Sequence, residues 1–118
     1  MAALMLWYPN CSTCKKAKAW LDANGVEYVL RDIVDDGPTR EELAKWIPQS
    51  GLEIKKFYNT SGQLYRAMEL REKLSFFTDE EKIGLLAMEG MLVKRPLLID
   101  GDKVLVGFKE EQWNEVLK

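Results

Sequence analysis

Short apolar runs near both ends of the chain enclose a middle stretch whose apolar residues recur at helical spacing. Residues 3–8 are apolar and stop at Pro9-Asn10, which predicts a buried strand. From Ser12 to about Ala23 the apolar positions Ala17, Trp20 and Leu21 are spaced for a helix. Ser12 or Thr13 would cap it, and Asn24-Gly25 would end it. Val26 to Ile33 predicts a second strand, with Val26, Tyr28 and Leu30 alternating against Glu27, Val29 and Arg31. Two strands joined by a helix make a parallel βαβ unit, right-handed by default.

The middle stretch opens with a turn at Asp35-Asp36-Gly37-Pro38. Thr39-Arg40-Glu41-Glu42 fits a capping box, followed by an apolar stripe of Leu43, Trp46 and Ile47. Pro48 and Gly51 should end or distort that helix. After a break at Ser61-Gly62, Leu64, Met68 and Leu70 predict a short helix. Thr78-Asp79-Glu80-Glu81 is a second capping box, opening a helix to about Glu89 that Gly90 closes. Residues 35–90 therefore form a helical insertion with no strand signal. Leu97-Leu98-Ile99, Asp100-Gly101 and Val104-Leu105-Val106 then give a hairpin. Gly107-Phe108 turns the chain into a last helix, Glu110 to Leu117. The order β-α-β, helices, β-β-α predicts an α/β, thioredoxin-like (glutaredoxin-type) fold. It would hold a mixed four-stranded sheet in one domain spanning 1–118.

Candidate chemistry sits at the first strand-to-helix junction. The chain's two cysteines form Cys11-Ser12-Thr13-Cys14 there, which reads as a redox dithiol. A helix N-terminus favours an anion, so Cys11 should be the thiolate nucleophile. Cys14, one turn later on the same face, could resolve a mixed disulfide. A structural zinc site needs four ligands, and the chain has no histidine and no third cysteine. A structural disulfide would close only a tiny loop and constrain little. Two ordinary small apolar residues are the plain alternative.

A second constellation is Lys94-Arg95-Pro96. Pro96 opens the third strand, where its missing donor is tolerated. In a thioredoxin-like fold the residue before that strand faces the dithiol, so Arg95 would stabilise a thiolate and clamp an oxyanion. An ordinary strand-start proline beside a solvated Lys-Arg pair is an even alternative. Asn10, Ser12, Thr13, Lys15, Lys55 and Pro96 complete the candidate wall of an anion-binding site. Lys15, Lys16, Lys55 and Lys56 are weaker signals, which read first as solvated surface lysines. The tryptophans at 7, 20, 46 and 113 read as core anchors.

Composition narrows the partners. The 118 residues, 47% hydrophobic, suit one modest core. A net charge of −2 and the absence of an arginine-rich run argue against direct nucleic-acid binding. No apolar stretch reaches the ~20 residues of a membrane span. The N-terminus lacks the positive region of a signal peptide, so the reducing cytoplasm is the expected compartment. No bound cofactor or metal is expected.

Three stretches together resemble the ArsC/Spx family: Tyr8-Pro9-Asn10-Cys11-Ser12-Thr13-Cys14-Lys15-Lys16-Ala17, Pro38-Thr39-Arg40-Glu41-Glu42-Leu43, and Lys94-Arg95-Pro96-Leu97-Leu98-Ile99. Val106-Gly107-Phe108 extends the match over nearly the whole chain. The resemblance implies a thioredoxin fold with a helical insertion, Cys11 as nucleophile, and Arg95 before a cis-proline. It also implies an external thiol reductant (thioredoxin, glutaredoxin or glutathione) and a monomer. The family's arsenate reductases hold their oxyanion with two further arginines. Near the first, this chain has Lys55 or Lys56. At the second it has Gly107. They usually lack a cysteine at the place of Cys14, so the CxxC is closer to Spx-type regulators, which bind the RNA polymerase α subunit, and to a further arsenate-reductase-like branch. The resemblance thus implies a thiol–disulfide oxidoreductase resolved by Cys14, or alternatively a redox-sensing regulator.

Overall fold

The structure is a computed structural model and describes residues 2–118. Strands β1 (Ala3–Trp7), β2 (Tyr28–Asp32), β3 (Leu97–Asp100) and β4 (Lys103–Val106) form one sheet in the order β2-β1-β3-β4. β1 and β2 run parallel, while the β1–β3 and β3–β4 pairs are antiparallel. This is the mixed, thioredoxin-like sheet that the element order predicts. α1 (Ser12–Ala23) makes the parallel crossover, and α6 (Glu110–Leu117) closes the chain.

Strand alternation sorts the core into two layers. Ala3, Met5, Leu98 and Leu105 pack with Ala17, Trp20 and Leu21 of α1 and Trp113 of α6. Leu6, Leu97 and Val104 pack with Leu43, Trp46 and Ile47 of α2 (Arg40–Ser50) and Leu86 of α5 (Asp79–Met88). Each fully buried large side chain contributes about 1.5–3 kcal/mol, so neither helical layer is dispensable.

The insertion departs from expectation in detail. Pro48 lies inside α2, which runs to Ser50, and Gly51 closes it at φ 73°. The helix predicted around Leu64, Met68 and Leu70 is two short ones, α3 (Gln63–Ala67) and α4 (Leu70–Lys73). They part at Glu69, whose left-handed φ of 55° breaks the helical ladder. The break lets both Tyr65 and Leu70 reach the core. The second strand is shorter than the predicted span, covering Tyr28–Asp32. A single bridge, Tyr58 to Val93, is the β pairing inside and beside the insertion.

Two contacts fasten the insertion to the sheet. Gly90 does not close α5, which ends at Met88, but opens a 3₁₀ turn, Gly90–Leu92. A Cβ there would overlap the Ile33 carbonyl oxygen and lie 2.9 Å from its carbon. The second contact is Arg31 on β2. Its guanidinium donates to both Glu42 carboxylate oxygens, at 2.8 and 2.6 Å, and to the Gly37 carbonyl at 2.9 Å. Glu42 also accepts the Thr39 N–H at 3.0 Å in the capping box.

Gly90→Ala should lower unfolding free energy by about 1–3 kcal/mol, because rigid backbone rather than a flexible side chain must yield. Urea denaturation measures it. Glu42 carries a pH signature. Its hydrogen bond to Arg31 outweighs burial and holds its carboxyl below the ordinary value of 4.5. The stability it adds is therefore complete above that value and is lost as pH falls through the lower folded one. Glu42→Gln should cost about 1–3 kcal/mol near neutral pH. The gap to the parent protein should narrow as urea midpoints are followed into acid.

Candidate functional site

The chain leaves β1 at Trp7 and enters α1 at Ser12. Cys11, not Ser12 or Thr13, is the N-cap. Its backbone is extended (φ −88°, ψ 118°), and its Sγ accepts the Cys14 N–H at 3.4 Å. The sequence pattern favours a hydroxyl cap, but Ser12 and Thr13 already lie inside the first turn and are exposed. The Cys11 N–H is itself held by the Tyr8 carbonyl at 2.9 Å. Cys11 is partly exposed, Cys14 is fully buried, and both are free thiols.

The two sulfurs titrate in opposite directions. Partial burial pushes the Cys11 thiol up. That is outweighed by the Cys14 thiol and N–H hydrogen bonds, the charge of Arg95 and the Thr13 N–H, so Cys11 ends below its ordinary value. Burial pushes Cys14 up to about 12, despite a hydrogen bond from the Tyr8 backbone and the Arg95 charge. The neighbouring Cys11 adds to that rise. The partly exposed sulfur, with its lowered pKa, has the thiolate character of a nucleophile, whereas the buried one must first lose its proton to act as one.

Arg95 precedes a cis peptide bond to Pro96, and Pro96 is buried. The guanidinium stacks on the Tyr8 ring, 5.3 Å from its centroid, and donates to the Met91 carbonyl at 3.2 Å. Tyr8 therefore serves both partners: its backbone holds the cysteines and its ring holds the arginine. Arg95, Cys11 and Thr13 share a cleft of about 400 Å³. Its far wall is Asn59, Ser61, Lys94 and the Val106–Lys109 turn. Gly107 sits there at φ 76°, a conformation that favours glycine over an arginine. Its N–H donates to the Pro96 carbonyl at 2.8 Å, and its carbonyl accepts the Trp113 indole at 3.3 Å.

Of the candidate residues, Cys11, Thr13 and Arg95 line the cleft, Cys14 is buried and hydrogen-bonded to Cys11 through its N–H, and Pro96 is buried next to Arg95. Asn10, Ser12 and Lys15 are exposed and do not line the cleft. Lys55 lines a neighbouring hollow with Lys56 and Lys94 instead. The sequence reading missed Asn59, Ser61 and Lys109. The Asn59 N–H donates to the Leu92 carbonyl and the Lys94 N–H to the Phe57 carbonyl, both at 2.7 Å. These long-range pairings bring residues 57–61 beside Arg95. The one local signal is a polar run directly after the apolar Phe57-Tyr58 pair.

An extended cap whose sulfur meets its own helix, opposite an arginine before a cis-proline, marks a dithiol domain of the thioredoxin-like class. The ArsC family model matches residues 6–116, and the chain belongs to that family. It is 50% identical over 115 residues to the uncharacterized protein YusI of Bacillus subtilis (strain 168), covering 98% of each chain. It is 32% identical over 101 residues to the regulatory protein MgsR of the same organism, covering 86% of this chain and 79% of MgsR. A crystal structure of an ArsC family related protein from Bacteroides fragilis superposes with TM-score 0.94. That match has 57% identity and covers 98% of this chain and 97% of the other.

Arg95→Ala should shift the pH midpoint of Cys11 alkylation by iodoacetamide upward, since a lowering charge is removed. Mass spectrometry of the labelled peptide separates Cys11 from Cys14, which should stay unreactive in the folded protein.

Proposed function

We propose that the protein is a thiol–disulfide oxidoreductase of the arsenate reductase-like type. The partly exposed Cys11 at the α1 N-cap, with Cys14 buried one turn on and Arg95 in the same cleft, carries this reading. Cys11 attacks a sulfur or oxyanion bound in the cleft, and Arg95 holds the negative charge of the leaving group. With a disulfide substrate, Cys11 forms a mixed disulfide and one substrate thiolate departs. Cys14, losing its proton as it attacks, displaces the second. The substrate gains two electrons and the protein becomes a Cys11–Cys14 disulfide. Thioredoxin, glutaredoxin or glutathione restores the dithiol. With arsenate, the same two electrons would reduce the bound oxyanion. The glycine at position 107 and lysine at 55 leave fewer arginines to hold it, which favours a disulfide substrate.

A regulatory reading draws on the likeness to MgsR, which is a regulatory protein. There the same pair would sense oxidation, and the RNA polymerase α subunit would be the partner. A regulator would change its affinity for that subunit with redox state and need not turn over.

The experiment is NADPH consumption by the purified protein with thioredoxin or glutaredoxin systems, supplied with a disulfide or arsenate. Disulfide-dependent turnover is expected, falling about a thousandfold or more in Cys11→Ser. Cys14→Ser should accumulate a mixed disulfide at Cys11, visible as a mass increase. No turnover with either substrate would sink the enzyme reading, and redox-dependent binding to the α subunit would then replace it.

A further inference from the structure

We propose that the natural occupant of the Cys11 cleft is a disulfide carried on an acidic protein segment. It carries carboxylates on one side of the reacting sulfur and an apolar side chain on the other. The chemistry rests on the oxidoreductase reading above, while the choice of partner rests on the surface around the sulfur.

Lys94 and Lys109 line the cleft beside Arg95, and no carboxylate lines it. Lys94 also borders the neighbouring hollow of about 400 Å³ that holds Lys55 and Lys56, where Glu53 is the one acidic residue. All four lysines are exposed, and none joins an ion pair among the described residues. Glu110 and Glu111 follow Lys109 but line neither hollow. This concentration runs against the chain as a whole, which has nineteen acidic residues to seventeen basic. The four unpaired ammonium groups, spread over two hollows that share Lys94, favour an anionic occupant.

Asn59, Ser61 and Arg95 are shared with a third hollow of about 650 Å³, where Leu64 and Met91 stand with Gln63 and Arg66. Methionine adapts its shape to varied apolar side chains. The three hollows adjoin through shared residues, with the Cys11 sulfur in the middle one. A tetrahedral oxyanion would occupy a small part of one hollow, since spaces of about 300–1,000 Å³ each suit a drug-sized ligand. A chain segment crossing all three fills them, with carboxylates over the lysines and an apolar residue on Met91. A nucleic acid would also answer the charge. It offers no sulfur to the dithiol, and a sequence pI of about 5.3 opposes a polyanion.

The step balances within the dithiol. Cys11 bonds to one sulfur of the segment's disulfide while the other leaves as a thiolate and takes a proton. Cys14 then closes on Cys11 and releases the second thiol. The segment's disulfide is reduced and the protein dithiol oxidised.

The test uses the full-length reduced protein and two synthetic peptides with one internal disulfide. One has glutamates on one side and leucine on the other, and its counterpart has lysines for glutamates. Stopped-flow measurement of disulfide reduction should show the glutamate peptide at least about tenfold faster at low ionic strength. The gap should shrink in about 0.5 M NaCl. Lys94→Ser combined with Lys109→Ser should remove the preference, while Lys45→Ser, on the outer face of α2, should keep it. Equal rates for the two peptides would overturn the proposal and leave the oxidoreductase reading intact. If neither peptide is reduced, that reading falls. Fluorescence anisotropy with Cys11→Ser then decides the surface: tenfold tighter binding of the glutamate peptide supports it, and equal binding overturns it. A single-stranded oligonucleotide that binds more tightly than the glutamate peptide would also overturn it.

Discussion

The first turn of any helix leaves N–H groups without helical partners, and at α1 one of them is answered by sulfur. Only four residues separate the end of β1 from the start of α1, so the chain must turn sharply and cap the helix at once. Cys11 does both. Because its Sγ accepts from the backbone of Cys14, the charged form of the thiol is favoured by the same contact that starts the helix. One turn on, the helix carries Cys14 into the core. The Tyr8 carbonyl fixes the Cys11 N–H, and the Tyr8 ring then gives Arg95 a surface to stack on. The reactive end of the molecule follows from how one strand hands over to one helix.

The insertion is more than a cover for the sheet. Its backbone pairs with the segment leading to β3 at Asn59–Leu92 and Phe57–Lys94. That pairing turns an otherwise open dithiol into a walled cleft. The wall stays in place because Gly90 lies against the Ile33 backbone and Arg31 clamps the start of α2. Neither contact touches the cysteines.

The sheet was legible because its strands are short, apolar and bounded by turn residues, and the hairpin at Asp100-Gly101 leaves little choice of register. The capping boxes at Thr39 and Thr78 were legible because both halves of each lie within four residues. The stretch from Gly51 to Leu74 was harder. Glu69 adopts a left-handed backbone that glutamate seldom prefers, and tertiary packing of Tyr65 and Leu70 overrides local propensity there. At the site, Cys11, Cys14 and Arg95 announced themselves through spacing and a proline. Asn59 and Ser61 did not, because their place depends on hydrogen bonds to residues more than thirty positions away. The choice of a thiol over a neighbouring hydroxyl as the helix cap was likewise invisible to preferences drawn from Ser, Thr, Asp and Asn.

The absence of histidine from the chain has an electrostatic consequence for the cleft. Its cations are two lysines and an arginine, Lys94, Lys109 and Arg95, and the thiol that stands among them is Cys11. Conversion of a Cys11 thiolate into a neutral disulfide removes one negative charge from a basic opening. The oxidised protein is then the more positive of the two forms and holds an anionic molecule more tightly. By thermodynamic reciprocity, an anion resting in the opening draws the dithiol toward oxidation. Such an occupant makes the protein a stronger electron donor than it is when empty.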